Sequence, residues 1–428
     1  MNIITKNDLK NKEVFSEFYK TIEYENNSEI DTIINSVKNK GDDFLIEISN
    51  KFKDGNFNSS IDFLVSESEI EDAYKQVNNE FIEHIKIAKN NVEKFAKEQI
   101  NSIKNLELNI EGSILGHKIV PLNKVLCYVP GGNYPLPSSC IMTVVPAKVA
   151  GVSEVVLTSP RIKPATIVAA HIAGADKIYK LGGAQAISAF AHGTETIKPV
   201  DKIVGPGNKF VTYAKKNVYG TVDIDFLAGP SEVLIIADKF ASPKLIAADM
   251  LAQCEHDKDA RAYLLCDSVE LAKQVKNEAE TFLSRLKTSE IAKISFEKSF
   301  CIVLDDITQA IEISNLRAPE HLEVMVKNKN DILPYLTNYG SLFIGENCAE
   351  VFGDYTSGTN HVLPTNCAAK YTGGLSVFDF IKILTYQNVT KKYAETLSKT
   401  ASYIANAEGL MAHKLAADLR GNYEKNIW

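Results

Sequence analysis

Between residues 116 and 267 the chain repeats one pattern: a short apolar run, a loop rich in glycine or proline, and a segment with helical periodicity. The apolar runs 125–129, 177–181 and 201–204, for example, precede the loops PGGNYP, GG and GPGN. Strands that alternate with helices form a parallel sheet with helices on both faces. The sequence therefore predicts an α/β fold, and further apolar runs at 301–304, 321–326 and 341–344 extend it.

The loops after the predicted strands are candidate ligand-binding positions, because ligands lie at the carboxyl ends of parallel strands. This rule places Tyr128 and the loops 182–185 and 205–208 along one edge of a sheet. The dinucleotide fingerprint GxGxxG is absent from the sequence. Each glycine loop alone is more often a tight turn than a phosphate site. Together, the three loops could still bring backbone amides close to a pyrophosphate.

The segments on either side of this pattern differ from it. Residues 1–110 are polar and mostly helical in pattern. At the other end, 375–387 and 391–423 also have helical periodicity but little core of their own, so we expect this tail to pack on another surface, such as a second subunit. The loop 345–372 is rich in Gly, Asn and Thr and contains Asp354, and its length predicts a functional role.

Composition argues against several classes of protein. The net charge of −7 disfavours general affinity for nucleic acid or an anionic membrane. No run approaches the ~20 apolar residues that span a bilayer, and the first residues lack the apolar core of a signal peptide. The 7 cysteines form no CxxC pair, which favours reduced thiols in a cytoplasmic protein and disfavours a thiolate zinc site.

The segment 242–257 predicts a helix that ends near two metal-binding side chains. It begins with Ser-Pro, a typical helix start, and Gln253 and His256 near its end are three residues apart, on one face. Two ligands do not make a site. Asp354 in the long loop and His413 in the tail would complete a set of two imidazoles, one carboxylate and one amide oxygen, which suits Zn²⁺. Spacing alone does not show that these four residues meet.

Two further pairs combine an acid with a histidine. Glu320 and His321 lie side by side before the apolar run 322–326 and supply two proton-transfer groups that can operate near neutral pH. On these residues alone, a capping glutamate and an incidental histidine are the favoured interpretation. Glu408 and His413 lie five residues apart in the tail, where a solvated helix face is the simpler explanation.

Eight short motifs, taken together and in order, make the sequence recognisable. They are YVPGGNYP, GGAQAI, GPGN, AGPSEVL, QCEH, RAPEHLE, GDYTSGTNHVLPT and AEGLMAHK. In this order and spacing they resemble the histidinol dehydrogenases, from about residue 30 to about residue 420. The resemblance implies the last step of histidine biosynthesis, a four-electron oxidation of L-histidinol to L-histidine through L-histidinaldehyde, with NAD as oxidant and zinc in the site.

The resemblance also implies a role for each motif residue. Glu320 and His321 would be the catalytic acid–base pair. The residues that would contact NAD are Tyr128, Gln185 and Asn208. One zinc ion per subunit would be bound by Gln253, His256, Asp354 and His413. The substrate would contact these four residues together with Ser231, His321, His361 and Glu408.

For the architecture, the resemblance implies two incomplete Rossmann-like α/β domains with helical segments at both termini, in an intertwined homodimer. The predicted boundaries are a helical segment 1–22, a first domain 23–125 plus 233–370, a second domain 126–232, and a helical tail 371–428. The first domain would carry the metal and catalytic residues, and the second would carry the NAD contacts. The tail would supply its glutamate and histidine to the partner's site.

Two alternatives remain open on the sequence. A relative in the same family could oxidise another alcohol, and a protein on the same scaffold could bind metal or nucleotide without catalysis. The intact Glu320–His321 pair disfavours the second alternative. A nucleophilic thiol at Cys127 or Cys254 is also conceivable, but aldehyde hydration needs no thiol.

Overall fold

The computed structural model describes residues 1–11, 16, 18, 19, 26–131 and 135–421. Parts of three predictions lie outside the described residues: residues 12–15, 17 and 20–22 of the N-terminal segment 1–22, residues 132–134 of the PGGNYP loop, and the end of the tail. The chain divides into two compact units. The first contains Met1–Gln99 and Leu122–Phe380, and the second contains Ile100–Pro121 and the residues from Ile381 onward.

The regular elements of the described residues are numbered in chain order. The strands are β1 Asn2–Thr5, β2 Leu106–Ile110, β3 Ser113–Pro121, β4 Lys124–Tyr128, β5 Glu154–Thr158, β6 Lys177–Tyr179, β7 Lys202–Val204, β8 Asp223–Ile224, β9 Glu232–Ala237, β10 Arg261–Cys266, β11 Phe300–Val303, β12 His321–Met325, β13 Ser341–Ile344 and β14 Ile381–Asn388. The α-helices are α1 Ser28–Lys51, α2 Glu67–Gln76, α3 Asn79–Asn101, α4 Pro137–Ala150, α5 Pro164–Ala173, α6 Gly183–His192, α7 Lys209–Val218, α8 Pro243–Cys254, α9 Val269–Leu283, α10 Ser289–Lys298, α11 Gln309–Arg317, α12 Glu350–Tyr355, α13 Lys391–Ala407 and α14 Met411–Arg420. Short 3₁₀ helices span Lys6–Lys10, Ser60–Phe63, Lys329–Asp331, Leu333–Tyr335, Ala368–Lys370 and Val377–Phe380.

The first unit contains a parallel sheet whose described strands follow the order β6-β5-β4-β7-β8. Apolar side chains of α1, α6 and α7 pack on this sheet in one core. The helices α4 and α5 each begin with a proline and end at a glycine with positive φ, Gly151 and Gly174. Proline fits the first turn of a helix, and glycine adopts the left-handed conformation that ends it. These local signals set the short connections between strands.

The first unit also contains a second parallel sheet, in the order β1-β11-β10-β9-β12-β13. Strand β9 is completely buried, and its side chains alternate between two cores. Val233 and Ile235 pack with α8 and α9 on one face, while Leu234 and Ile236 pack with α11 on the other. Helices therefore cover both faces, and the predicted α/β class with parallel sheets is confirmed.

The second unit is built from an antiparallel sheet and two helices. Its described strands follow the order β14-β3-β2, with β14 and β2 both antiparallel to β3. Helices α13 and α14 pack against each other. Many of its large apolar side chains are exposed, among them Leu106, Ile383, Tyr403, Met411 and Leu419.

Three secondary-structure predictions were wrong. The sequence pattern predicted a helix over 375–387, but Ile381–Asn388 is a strand. Its Ile and Thr residues are β-branched and favour a strand. A short apolar run is compatible with both helix and strand periodicity, and here the pairing with β3 selects the strand. Asn2–Thr5, within the predicted helical segment 1–22, is a strand that pairs with β11. The helix predicted over 242–257 ends at Cys254, so His256 lies just beyond it.

Candidate active site

The three residues predicted to contact a nucleotide lie at the carboxyl edge of the five-stranded sheet. Tyr128 ends β4, and its hydroxyl oxygen accepts a hydrogen bond from the N–H of Gly183 at 3.1 Å. Gln185 is buried in the first turn of α6. Asn208 caps α7, where its side-chain oxygen accepts from the N–H groups of Phe210 and Val211. The fold thus brings the loops after β4, β6 and β7 together, as expected for strand ends of one parallel sheet.

Asp54 is a residue of this edge that the sequence did not single out. Its Oδ2 accepts from the Gln185 Nε2 at 2.8 Å and from the Gly182 N–H at 3.2 Å. Burial raises the pKa of Asp54, and these two hydrogen bonds oppose that effect. Asp54 lies in a Lys-Asp-Gly-Asn turn between α1 and α2, where an aspartate is ordinary, so only the tertiary contact reveals it.

Gly205 brings the loop after β7 against the backbone of Tyr128. Its φ is +109°, and a Cβ at this position would lie 2.1 Å from the Tyr128 carbonyl oxygen. Glycine alone combines this conformation with this close approach. The first glycine of GPGN is therefore required by geometry.

We expect Gly205→Ala to destabilise the protein far more than Gly220→Ala. Both glycines have positive φ, but no described atom lies within 4 Å of a Cβ placed on Gly220, whose φ is +96°. The conformational strain of about 1–2 kcal/mol is common to both variants, whereas overlap with the Tyr128 carbonyl adds roughly 1–3 kcal/mol only at Gly205. Urea denaturation of the two variants measures the difference, and equal losses would contradict the steric argument.

Glu320 and His321 lie at the amino end of the six-stranded sheet, next to the start of β9. His321 pairs with Val233 in the ladder between β12 and β9. The main chain of Glu232 contacts both side chains: its N–H donates to Glu320 Oε2 at 2.8 Å, and its carbonyl oxygen lies 3.2 Å from His321 Nδ1. One buried peptide segment therefore fixes the acid and the base together.

The contact with Glu232 also selects the tautomer of His321. A carbonyl oxygen only accepts, so Nδ1 carries the hydrogen and the neutral ring has its lone pair on Nε2. Nε2 is buried and has no hydrogen-bond partner among the described residues. It lies 3.4 Å from Asp354 Oδ1, without hydrogen-bond alignment. Nε2 is thus the nitrogen available to a reacting group.

Buried carboxylates control the charge of this cluster. Burial raises the pKa of Glu320 to about 8. Burial lowers the pKa of His321, but the carboxylates of Glu320, Asp354 and Glu350 outweigh it and raise that pKa well above its ordinary value. Burial likewise raises the pKa of Asp354, but contact with His321 and the nearby His361 and His256 lowers it overall. The pair Glu320–His321 therefore has the strongly perturbed acidities typical of proton-transfer groups.

The long loop contributes Asp354 and His361 to the same cluster. Asp354 lies in α12, and its carbonyl oxygen is 2.8 Å from His361 Nδ1. The other nitrogen of His361, Nε2, is 3.3 Å from the hydroxyl of Ser139. Ser139 lies in the first turn of α4, the helix that follows β4 and Tyr128. Within the first unit, α4 therefore joins the acid–base cluster to the strand end that carries Tyr128.

Gln253 is buried at the end of α8 and contacts two acidic residues. With its amide oriented to satisfy its neighbours, its nitrogen donates to the Glu350 carboxylate at 3.2 and 3.3 Å and its oxygen accepts from the Glu232 N–H at 3.0 Å. Glu350, which the sequence did not single out, also lies 3.9 Å from His321 Nδ1. It is one of three acidic residues in the loop 345–372, and its position there carries no sequence signal that distinguishes it.

Glu232 and Arg317 form a buried ion pair that the sequence analysis did not identify. The Arg317 guanidinium lies 5.0 Å from the centre of the Tyr263 ring. A charged residue at the head of the apolar run 232–237 is a signal that could have suggested a buried ion pair. Its partner could not be inferred from spacing, since Arg317 is 85 residues away.

The remaining predicted site residues are Ser231 and His256 in the first unit and Glu408 and His413 in the second. Ser231 is half-buried directly before β9, and its carbonyl oxygen accepts from the Arg261 N–H at 3.1 Å. His256 is exposed just after α8. Glu408 and His413 belong to the second unit, at the end of α13 and in the first turn of α14, and both are exposed.

The donor atoms of the predicted zinc ligands are of the kind that binds zinc, and they are divided between the two units of the chain. Gln253, His256 and Asp354 lie in the first unit and His413 in the second. Within the described ranges, no group of three or more His, Cys, Asp or Glu side chains is arranged to hold a metal ion. Amide oxygen, imidazole and carboxylate groups are ligands that Zn²⁺ accepts, so the predicted residues fit a zinc ion by the chemistry of their donor atoms.

Comparison with known proteins identifies the family. A family model described as histidinol dehydrogenase matches residues 19–421. The chain belongs to the histidinol dehydrogenase family. It is 46% identical over 403 residues to a histidinol dehydrogenase of Aquifex aeolicus, which covers 94% of each chain, and 45% identical over 393 residues to one of Methanocaldococcus jannaschii, which covers 91% of each.

A solved structure supports the same family assignment. The crystal structure of histidinol dehydrogenase from Elizabethkingia anophelis has a TM-score of 0.91 to this chain and 37% sequence identity, and the match covers 98% of both chains. The resemblance found in the motifs is confirmed. The matched residues of the histidinol dehydrogenase family model include every candidate site residue named above. None of the described helices has both the length and the apolar character needed to cross a bilayer.

Proposed function

We propose that the protein is an NAD-dependent, zinc-containing histidinol dehydrogenase that oxidises L-histidinol to L-histidine through L-histidinaldehyde, the last step of histidine biosynthesis. The observation that carries this proposal is the buried pair Glu320–His321, fixed by the main chain of Glu232 with His321 Nε2 left without a partner among the described residues. Membership of the histidinol dehydrogenase family supports the substrate.

In the first oxidation, His321 acts as general base. With the ring in its neutral form, Nε2 would accept the proton of the histidinol hydroxyl, and NAD, when bound, would be the acceptor of the hydride from the adjacent carbon, so that the product is the aldehyde. The hydrogen bond from Nδ1 to the Glu232 carbonyl oxygen stabilises the protonated ring and holds its orientation. Because the cluster is buried, bulk water does not compete with this transfer.

In the second oxidation, water must add to the aldehyde before another hydride can leave. Glu320, with a pKa raised to about 8 by burial, would take a proton from the attacking water, and protonated His321 would return the proton gained in the first oxidation to the aldehyde oxygen, which gives the diol. His321, neutral again, would accept a proton of this diol, and NAD, when bound, would be the acceptor of the second hydride, so that the product is the carboxylic acid. The same two residues therefore serve both half-reactions.

The proposed zinc site would use Gln253, His256 and Asp354 of one subunit with His413 of the partner subunit. When bound, zinc would hold the imidazole and amino group of histidinol and so orient the carbon that reacts. Ser231, His361 and the partner subunit's Glu408 would complete the contacts to the substrate. Tyr128, Gln185 and Asn208 would hold NAD at the carboxyl edge of the five-stranded sheet.

The tail would contribute to a neighbouring subunit in a homodimer. Support comes from the exposed apolar side chains of α13 and α14, which are Leu397, Tyr403, Ile404, Met411, Leu415 and Leu419. An exposed set of this kind on one unit is typical of a surface that packs against another chain. Glu408 and His413 lie among these residues and are exposed as well.

A complementation experiment tests the shared site. We expect His321→Asn and His413→Ala each to be nearly inactive alone. In a mixed dimer with tails exchanged between subunits, one site combines both defects and the other has neither, so activity returns toward about half of the wild-type value per dimer. If each tail serves its own subunit, every site has one defect and mixing restores nothing.

The function itself is tested by mixing purified protein with L-histidinol and NAD⁺ and following NADH absorbance. We expect rapid NADH formation, its loss after treatment with a strong chelator, and its recovery on adding Zn²⁺. Other amino alcohols serve as matched controls and should give little NADH. Turnover of another alcohol in preference to histidinol would move the protein to a different substrate within the same family, and full activity after verified zinc removal would exclude the metal role.

A further inference from the structure

A buried ion pair lies beneath the GPGN loop, and the reaction described above does not use it. Lys215 lies in α7 and Asp225 follows β8, and their side chains are only 3% and 1% exposed. Lys215 Nζ contacts Asp225 Oδ1 directly. The pair is thus almost completely removed from water.

The ion pair directs its remaining hydrogen-bonding capacity at one residue of the loop. The Gly205 N–H donates to Asp225 Oδ2 at 2.7 Å, and Lys215 Nζ donates to the Gly205 carbonyl oxygen at 3.0 Å. The N–H of Phe226 donates to Asp225 Oδ1 at 2.7 Å. Both polar groups of the Gly205 main chain are therefore held by the two charges.

Stability alone is a poor explanation for this arrangement. Removing two charges from water costs several kcal/mol per ion, and well-packed apolar residues in the same place are often as stable or more so. Unlike apolar residues, the charged pair forms directional hydrogen bonds, and these fix the N–H and the carbonyl group of Gly205. That residue lies against the Tyr128 carbonyl oxygen, and the loop it begins ends at Asn208, the cap of α7.

We infer that Lys215 and Asp225 are positioning residues that hold the loop 205–208 in the conformation that binds the dinucleotide. This inference rests on the proposed use of NAD and extends it to two residues that do not touch the cofactor. We call the ion pair together with the loop 205–208 the clamp, because the side chains of Lys215 and Asp225 hold the loop backbone through the main chain of Gly205. Loss of the clamp weakens NAD binding and leaves the acid–base cluster around His321 in place.

The test is the double variant Lys215→Met with Asp225→Asn, which removes both charges without leaving one unpaired. We expect the KM for NAD to rise about tenfold, the equivalent of roughly one hydrogen bond. The expected kcat stays within about threefold of wild type, and the KM for histidinol is unchanged. A less ordered loop that can still reach its bound conformation lowers the affinity for NAD but not the rate once NAD is bound. Thermal unfolding of each variant checks the fold. A general structural defect would instead change all kinetic constants together.

The matched control is Lys202→Met with Asp223→Asn. Lys202 is also buried, at 7% exposure, and its Nζ lies 3.0 Å from Asp223, whose side chain is 53% exposed. This pair lies at the first residues of β7 and β8, the opposite edge of the same sheet. We expect the control to leave the KM for NAD unchanged. If the clamp variant does not fold, Lys215→Arg, which keeps both charges but changes the donor that holds the Gly205 carbonyl oxygen, gives the same comparison with an expected rise of about threefold.

The outcomes separate the clamp from the proposed function. Wild-type turnover of histidinol with NAD⁺, together with an unchanged KM for NAD in the clamp variant, overturns the clamp and leaves the function standing. An equal rise in the KM for NAD in the control variant also overturns it. Absence of NAD binding by the wild-type protein, measured by calorimetric titration with NAD⁺ alone, overturns both.

Discussion

Replacing His321 with asparagine is expected to lower kcat for histidinol oxidation by about 10²- to 10⁴-fold, the usual contribution of a positioned general base. Asparagine keeps a polar group near the Glu232 carbonyl but has no lone pair of comparable basicity at the position of Nε2. Both hydride transfers should slow, because both need a proton removed from oxygen. Steady-state NADH formation at saturating NAD⁺ and histidinol measures the effect.

Two controls accompany this variant. His84→Ala removes an exposed histidine of α3 and should leave kcat unchanged. Zinc content of the His321→Asn protein should stay near the wild-type value, because His321 is not among the proposed ligands. A His321→Asn enzyme with wild-type kcat would show that the base is a different group.

Glu232→Gln is expected to lower the free energy of unfolding by about 3–5 kcal/mol, because it leaves the Arg317 charge buried without its partner. Both side chains are almost fully buried, at 3% and 6% exposure. Activity should fall as well, since the Glu232 main chain positions both Glu320 and His321. Urea denaturation followed by circular dichroism gives the stability change.

The double variant Glu232→Gln with Arg317→Met should recover much of this stability, because it no longer buries an unpaired charge. The matched surface pair is Asp259 and Lys298, whose side chains are 66% and 40% exposed. For Asp259→Asn we expect a loss below about 1 kcal/mol. Equal losses for the buried and the exposed pair would show that the Glu232–Arg317 interaction has no special weight.

Much of the fold could be predicted from local pattern. Short apolar runs separated by glycine loops and helices indicated parallel sheets, because the strand, loop and helix of each repeat are contiguous in the chain. The error over 381–388 has the opposite origin. The segment IKILTYQN is compatible with helix and strand, and its partner β3 lies more than 200 residues earlier, so pairing decides what local propensity leaves open.

The residues of the candidate site also fall into two groups: those that local sequence could predict and those that depend on partners elsewhere in the chain. Glu320 and His321 are adjacent in sequence, and Asp354 and His361 share one polar loop, so local pattern was enough to select them. Asp54, Glu350 and Lys215 are ordinary charged residues in sequence and gain their meaning from partners elsewhere in the chain. Sequence also gave no indication that the acid–base pair would lie at the amino edge of the six-stranded sheet.

The most direct test of the central claim is the number of NADH molecules formed when a limiting amount of L-histidinol is converted completely in excess NAD⁺. We expect two NADH for each histidinol consumed, with L-histidine as the product identified by mass spectrometry. A yield of one NADH with histidinaldehyde as product would contradict the claim that Glu320 and His321 complete both oxidations. No NADH from folded, zinc-loaded protein would contradict the proposed function as a whole.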